Sequence, residues 1–190
     1  MKINKGEASK AKILEAAGEL FWKQGYAATG IRDILDATGL PKGSFYFYFK
    51  SKSDVAREVI GYYSRLIIDV LKDTEESADS WEAFCDAFLC AFEEKLKDKQ
   101  YYGCPLAVLG MELAFQEELA ESYWEAMDRV RAIFFQALQK SGVSGEKLEA
   151  AADFALTVYE GNLLLYRISR DQNQLERMRY QMKQIVREKE

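Results

Sequence analysis

Residues 29–52 read TGIRDILDATGLPKGSFYFYFKSK, and the fold depends on how that stretch is parsed. Thr29 is a candidate N-cap for a short helix in which Ile31, Ile34 and Leu35 turn inward and Asp33 sits near the positive end. Gly39 supplies a turn, and Pro41 opens a further helix at the point where a missing N–H costs nothing. At about 100° per residue Phe45 and Phe49 fall on one side, with Leu40 sealing the entrance, while Gly43 and Phe47 lie opposite, flanked by Ser44 and Tyr46. Two short helices joined by a tight turn, the second polar and aromatic on its outer face, have the form that places a helix in a DNA groove. The rival parse is a strand over Phe45–Phe49, since aromatics favour strands. No other stretch of the chain reads as its partner, and a lone strand leaves its backbone unsatisfied.

Each outward residue has a chemistry suited to DNA. Gly43 lets the backbone come close to a phosphate or base edge. Ser44 can bond either, and the edges of Tyr46 and Phe47 can pack on a thymine methyl. Lys42 reaches a phosphate or guanine, and Arg32 has the planar fork that fits guanine or phosphate. Lys52, at the start of the following helix, is expected to fix register through a phosphate. Thr29, at the helix entrance, completes the candidate contacts. The competing explanation is a small helical core with exposed aromatics, which leaves a solvent-facing Phe47 without a purpose.

The rest of the chain supports an all-α protein. Apolar residues recur at helical spacing nearly throughout, with only two prolines in 190 residues. The spacing predicts helices over 9–24, 30–38, 41–48, 53–74, 80–97, 105–115, 117–141, 145–170 and 172–187. In the helix over 53–74, Val55, Val59, Tyr62 and Leu66 form the expected buried stripe. The polar stretch Asp73–Ser80 reads as a boundary, giving a DNA-binding domain over 1–52, a connecting helix over 53–74 and a second domain over 75–190.

Charge is divided in the same way. The chain totals −5, yet residues 1–60 hold ten Lys/Arg against seven Asp/Glu, a net of +3 that leaves −8 for the remainder. A basic head on an acidic body suits a DNA reader whose other domain meets something else, though ordinary surface variation produces similar splits. The absence of histidine removes Ser-His-Asp and Cys-His chemistry and the commonest metal ligand. Neither cofactor nor metal is expected, and an enzyme on a helical bundle would lack clustered catalytic groups. Three unpaired-looking cysteines, no apolar leader and no long apolar run point to a cytoplasmic protein away from membranes.

The residues Gly25-Tyr26-Ala27-Ala28-Thr29, Ile31-Arg32-Asp33-Ile34, Gly39-Leu40-Pro41-Lys42-Gly43-Ser44-Phe45-Tyr46-Phe47-Tyr48-Phe49 and Lys50-Ser51-Lys52 together resemble the DNA-binding domain of TetR-type transcriptional regulators. The resemblance covers about residues 9–55. It implies an Ω-shaped homodimer of nine-helix chains, a palindromic operator on double-stranded DNA, and release when a small-molecule effector enters the C-terminal domain. It carries the family's contacts onto Arg32, Lys42, Ser44, Tyr46, Phe47, Tyr48 and Lys52. Pro41 departs from a capping serine common there, and Phe47 lacks the donor that a His, Tyr or Trp would bring to a phosphate.

In the acidic body the aromatics between Trp81 and Phe135 are dense enough to line an apolar cavity, or to pack as core. The candidate effector-binding residues are Phe84, Phe88, Cys104, Leu109, Tyr123, Met127, Tyr159 and Asn162. Asn162 serves equally well as a bond to a neighbouring helix. Cys104, beside Pro105, falls at a helix start that favours thiolate. The Gly103-Cys104 step resembles electrophile-sensing members of the family, and a buried gap-filler is the alternative. Cys85 and Cys90 read as core. The last two helices carry surplus apolar surface, and Leu164, Leu165, Ile168, Met178, Met182 and Ile185 are the candidate dimer contacts. A DNA-binding architectural protein without an effector is the main alternative function.

Overall fold

A computed structural model of the chain describes residues 5–96 and 103–187. Among these the backbone forms nine helices and no strand, and they run α1 Lys5–Gln24, α2 Ile31–Thr38, α3 Lys42–Tyr48, α4 Lys52–Ser77, α5 Trp81–Leu96, α6 Pro105–Leu113, α7 Glu117–Lys140, α8 Glu146–Ser169 and α9 Asn173–Arg187. The aromatic run at Phe45–Phe49 is therefore helical up to its last residue. The first helix begins four residues earlier than its apolar stripe indicates, because the stripe is set by burial and the polar first turn has none.

The chain divides into two compact units, residues 1–64 with 105–124, and residues 65–104 with 125–190. The expected boundary, Asp73–Ser80, spans the end of α4 and the residues after it. The break falls inside α4, and α6 with the start of α7 belongs to the first unit. Side chains explain that membership. Glu112 of α6 accepts the backbone N–H of Ala27 at 2.5 Å, Gln116 bonds the Tyr26 hydroxyl, whose pKa burial raises, and Arg57 of α4 meets Glu118 of α7 at 2.6 Å.

The first unit has its core where α1 meets α2 and α3. Ile13, Ala17, Phe21, Ile34, Phe45, Phe49, Val55 and Val59 are all buried there. In α4 the stripe drifts from the expected one. Tyr62 and Leu66 are exposed, and burial follows Ala56, Ile60, Ser64, Ile68 and Leu71. Both registers satisfy the helical period, and only the neighbours select one.

The second unit is built on stacked rings. Trp81 stacks on Phe84 at 5.4 Å and Phe84 on Phe88 at 6.0 Å. Phe134 presents its edge to Trp81, Phe84 and Tyr159. The α8–α9 pair is the most closely packed, and α9 also lies on α5. Among the described residues no helix is long and apolar enough to cross a membrane, and no group of metal-ligating side chains is assembled.

Candidate nucleic-acid interface

The turn that aims α3 is made by local chemistry. Gly39 adopts the left-handed conformation, φ 65°, and its N–H closes on the Leu35 carbonyl, a role that other residues fill at a cost. Gly30, one residue later than expected, caps α2, and the Asp33 carboxylate accepts the Gly30 N–H at 2.6 Å. Thr29 is thus corrected on two counts. It is fully buried, its hydroxyl donates to the Gly25 carbonyl at 2.7 Å and accepts from Gln24, so it closes the α1–α2 turn and its side chain is not exposed to a partner. After α3, Ser51 and Asp54 form a reciprocal capping box. The Ser51 hydroxyl accepts the Asp54 N–H, and the Asp54 carboxylate accepts the Ser51 and Lys50 N–H groups. The Ser51 hydroxyl, with those backbone donors, holds the Asp54 carboxyl below its usual range. Ser-x-x-Asp ahead of an apolar run was the visible signal for this start.

On that frame α3 has two sides. Phe45 and Phe49 are buried with rings 5.8 Å apart. Phe47 is 79% exposed and Tyr46 47%, and nothing stands within 4 Å of the position a side chain would take on Gly43. Lys42 is exposed, its ammonium 5.7 Å from the Tyr46 ring. Ser44 is half-buried. Arg32 is 92% exposed and only loosely held by Asp36 at 3.7 Å. Gly43, Tyr46, Phe47, Lys42 and Arg32 are thus open to a partner.

Two residues point elsewhere. Tyr48 is half-buried, with its hydroxyl 3.1 Å from the position of a side chain on Gly6 in α1, so it braces α3 as much as it faces outward. Lys52 is drawn inward. Its ammonium donates to the carbonyls of Tyr26 and Thr29, both at 2.9 Å, and lies 4.1 Å from the Tyr26 ring. These bonds tether the start of α4 to the α1–α2 turn. Lys52→Ala should accordingly lower the melting temperature by several degrees while leaving the salt dependence of DNA binding unchanged. A slope flattened by about one unit, with no loss of stability, would restore the phosphate role.

The eight effector candidates are divided between the two units. Leu109 and Tyr123 belong to the first unit, where the Tyr123 ring would meet any side chain on Gly110 at 2.6 Å. Phe84 stacks on Phe88, Phe88 meets Tyr159 at a tilt, Phe134 lies edge-on to Phe84 and Tyr159, and Met127 is buried. These rings make core, because each already has rings as neighbours. Asn162 bonds helices: its amide donates to Val158 and Gln181, and its carbonyl accepts from Gln174. Cys104 is buried, and its thiol bonds the Glu160 carboxyl. An open cleft among the described residues of this unit is lined by Gly142, Lys147, Phe154, Tyr180 and Ile185. Cys85 is buried as expected, but Cys90 is exposed, because it lies on the face of α5 away from the rings.

Of the dimer candidates, Met178 and Met182 are fully buried. They face the α8 and α5 side of α9, where the Met182 carbonyl accepts the Trp81 indole N–H. Leu165 and Ile168 are exposed, and Leu164 and Ile185 half-buried. The exposed apolar face of the α8–α9 pair instead adds Phe154 and Tyr180, which sequence periodicity alone had not separated from the core.

A buried two-residue footing under an exposed, glycine-opened helix defines a helix-turn-helix DNA-binding protein. The comparisons agree. A family model described as "Bacterial regulatory proteins, tetR family" matches residues 13–59, and "Transcriptional regulator LmrA/YxaF-like, C-terminal domain" matches residues 78–181. The chain is similar to an uncharacterized HTH-type transcriptional regulator of Lactococcus lactis, 30% identical with 93% of this chain and 92% of that protein covered. It is also similar to the HTH-type transcriptional regulator LmrA of Bacillus subtilis, 30% identical over 83% of this chain and 85% of that one. A TetR transcriptional regulator structure from Legionella pneumophila shares the fold, with TM-score 0.84 at 24% identity over 97% of this chain and 98% of that one. The chain belongs to the TetR family of transcriptional regulators, with an LmrA/YxaF-like C-terminal domain. It is a DNA-binding regulator and not an enzyme.

Proposed function

We propose that this regulator is a cytoplasmic repressor that reads a two-fold operator as a homodimer and is released by a small-molecule effector. The observation that carries the reading is the outward face of α3, where Gly43 is open, Tyr46 and Phe47 are exposed, and Phe45 and Phe49 hold the helix from beneath. Leu165, Ile168, Phe154 and Tyr180 supply the apolar face for a second copy. Such a dimer sets its two α3 helices about 34–36 Å, or a multiple, apart along the DNA. The effector acts through the second unit and binds without covalent attack, since the Cys104 thiol is buried against a carboxyl.

Selection of bound sequences from a random DNA pool, followed by gel shift, tests the reading. Enrichment of an inverted repeat with half-sites about ten base pairs apart is the expected outcome. Enrichment of no sequence would favour an architectural role. Arg32→Ala should cost about 1–3 kcal/mol on the selected site and relax one base position. Equal losses on selected and random DNA would reduce Arg32 to a phosphate contact.

A further inference from the structure

The second unit contains one carboxyl that its own packing does not explain. Glu160 sits in α8 between the ring cluster at Tyr159 and the hydrogen-bonded hub at Asn162. The residue as a whole is half-buried, yet both carboxylate oxygens are buried and make no hydrogen bond of normal geometry. No Lys or Arg forms an ion pair with it among the described residues. The polar group that favours its ionised form is the Cys104 thiol, a weak donor. The thiol is held there by the preceding residue. Gly103, φ 87°, lies so close to α8 that a side chain on it would stand 2.8 Å from the Leu163 carbonyl and 3.0 Å from Arg167.

A carboxyl taken out of water without a donor destabilises the fold when ionised, and a glutamine would fill the same space without that cost. What only the acid provides is attraction for a positive charge. The residue's partial exposure places the group near accessible surface. We propose that Glu160 anchors an ammonium group carried by a small organic effector, which supplies the donors and the charge that no described side chain provides. The inference rests on the effector reading above and gives that effector a chemical class. Burial, opposed only by Cys104, pushes the Glu160 carboxyl up to about 7. At neutral pH the empty site is then part-protonated, and an incoming ammonium must expel that proton.

The test uses the full-length protein and two probes of similar shape, 4-phenylbutylamine and 4-phenylbutan-1-ol. Titration calorimetry at pH 7 in buffers of different ionisation enthalpy reads affinity and proton release together. The ammonium probe should bind about tenfold more tightly than the alcohol and release about half a proton. Glu160→Gln should abolish both the preference and the release. It should also fold, and melt higher than the parent above pH 7. The folded carboxyl keeps its proton through a window, from the usual 4.5 up to about 7, in which the unfolded one has lost it, so its contribution to stability declines as pH rises. Equal affinity for the two probes, binding of neither, proton uptake instead of release, or a preference that survives Glu160→Gln would each overturn the proposal. Proton release is read on the unmutated chain, so the result does not depend on the variant. A gel shift with the amine separates the two readings. Ammonium binding that leaves DNA bound sustains the site and counts against the effector role.

Discussion

Trp81→Ala should lower the unfolding free energy by about 3–5 kcal/mol, the usual cost of deleting a buried large aromatic. Trp81 is almost fully buried, stacks on Phe84 at 5.4 Å and meets the edge of Phe134 at 6.2 Å. Its indole N–H also donates to the Met182 carbonyl in the last turns of α9, so truncation leaves a cavity and removes a bond to that helix together. A stability of about 5–15 kcal/mol leaves little margin for such a loss. Urea denaturation followed by circular dichroism is the measurement, since fluorescence would lose the second unit's tryptophan. Trp81→Phe separates the terms by restoring a ring without the donor. It should recover more than half of the loss. A Trp81→Ala cost below about 1 kcal/mol would mean that α5 and α9 are not joined as described.

The second large effect is in the first unit. Gly25→Ala should cost about 2–4 kcal/mol and weaken DNA binding with it. Two causes add. Gly25 has φ 97°, a region that costs a side-chain-bearing residue about 1–2 kcal/mol. A new methyl would also press into the Glu112 carboxylate, disturbing the bond by which Glu112 accepts the Ala27 N–H. The turn concerned holds Thr29 and receives the Lys52 ammonium, so its distortion reaches the start of α2 and the aim of α3. Glu112→Ala divides the causes. If the clash contributes, the double variant is more stable than the two single losses predict, by about 1 kcal/mol or more. Strict additivity would leave only the backbone term.

These two sites show where sequence reasoning reached and where it stopped. Phe45 and Phe49 were legible because a four-residue spacing puts them on one side of any helix, whatever surrounds it. Gly39 was legible because its conformation is a local matter. Thr29 was missed by one position, since Thr and Gly are both acceptable caps and the buried bond to Gly25 decides between them. Lys52 reads identically whether its ammonium is free or curled over Tyr26, and the deciding carbonyls lie 23 and 26 residues away. Met178, Met182, Leu165 and Ile168 carry the same apolar signal, although the first two are core and the last two surface.

The sequence by itself determined the helices, the helix-turn-helix and the sidedness of α3, because helical period, turn residues and caps act within a few residues. Only the tertiary structure decided that α6 belongs with the head, that Lys52 is a tether, that the aromatics of α5 are core and that Glu160 is a buried acid. Each of those depends on which distant surfaces meet, and burial, unlike periodicity, is a property of the packed chain as a whole.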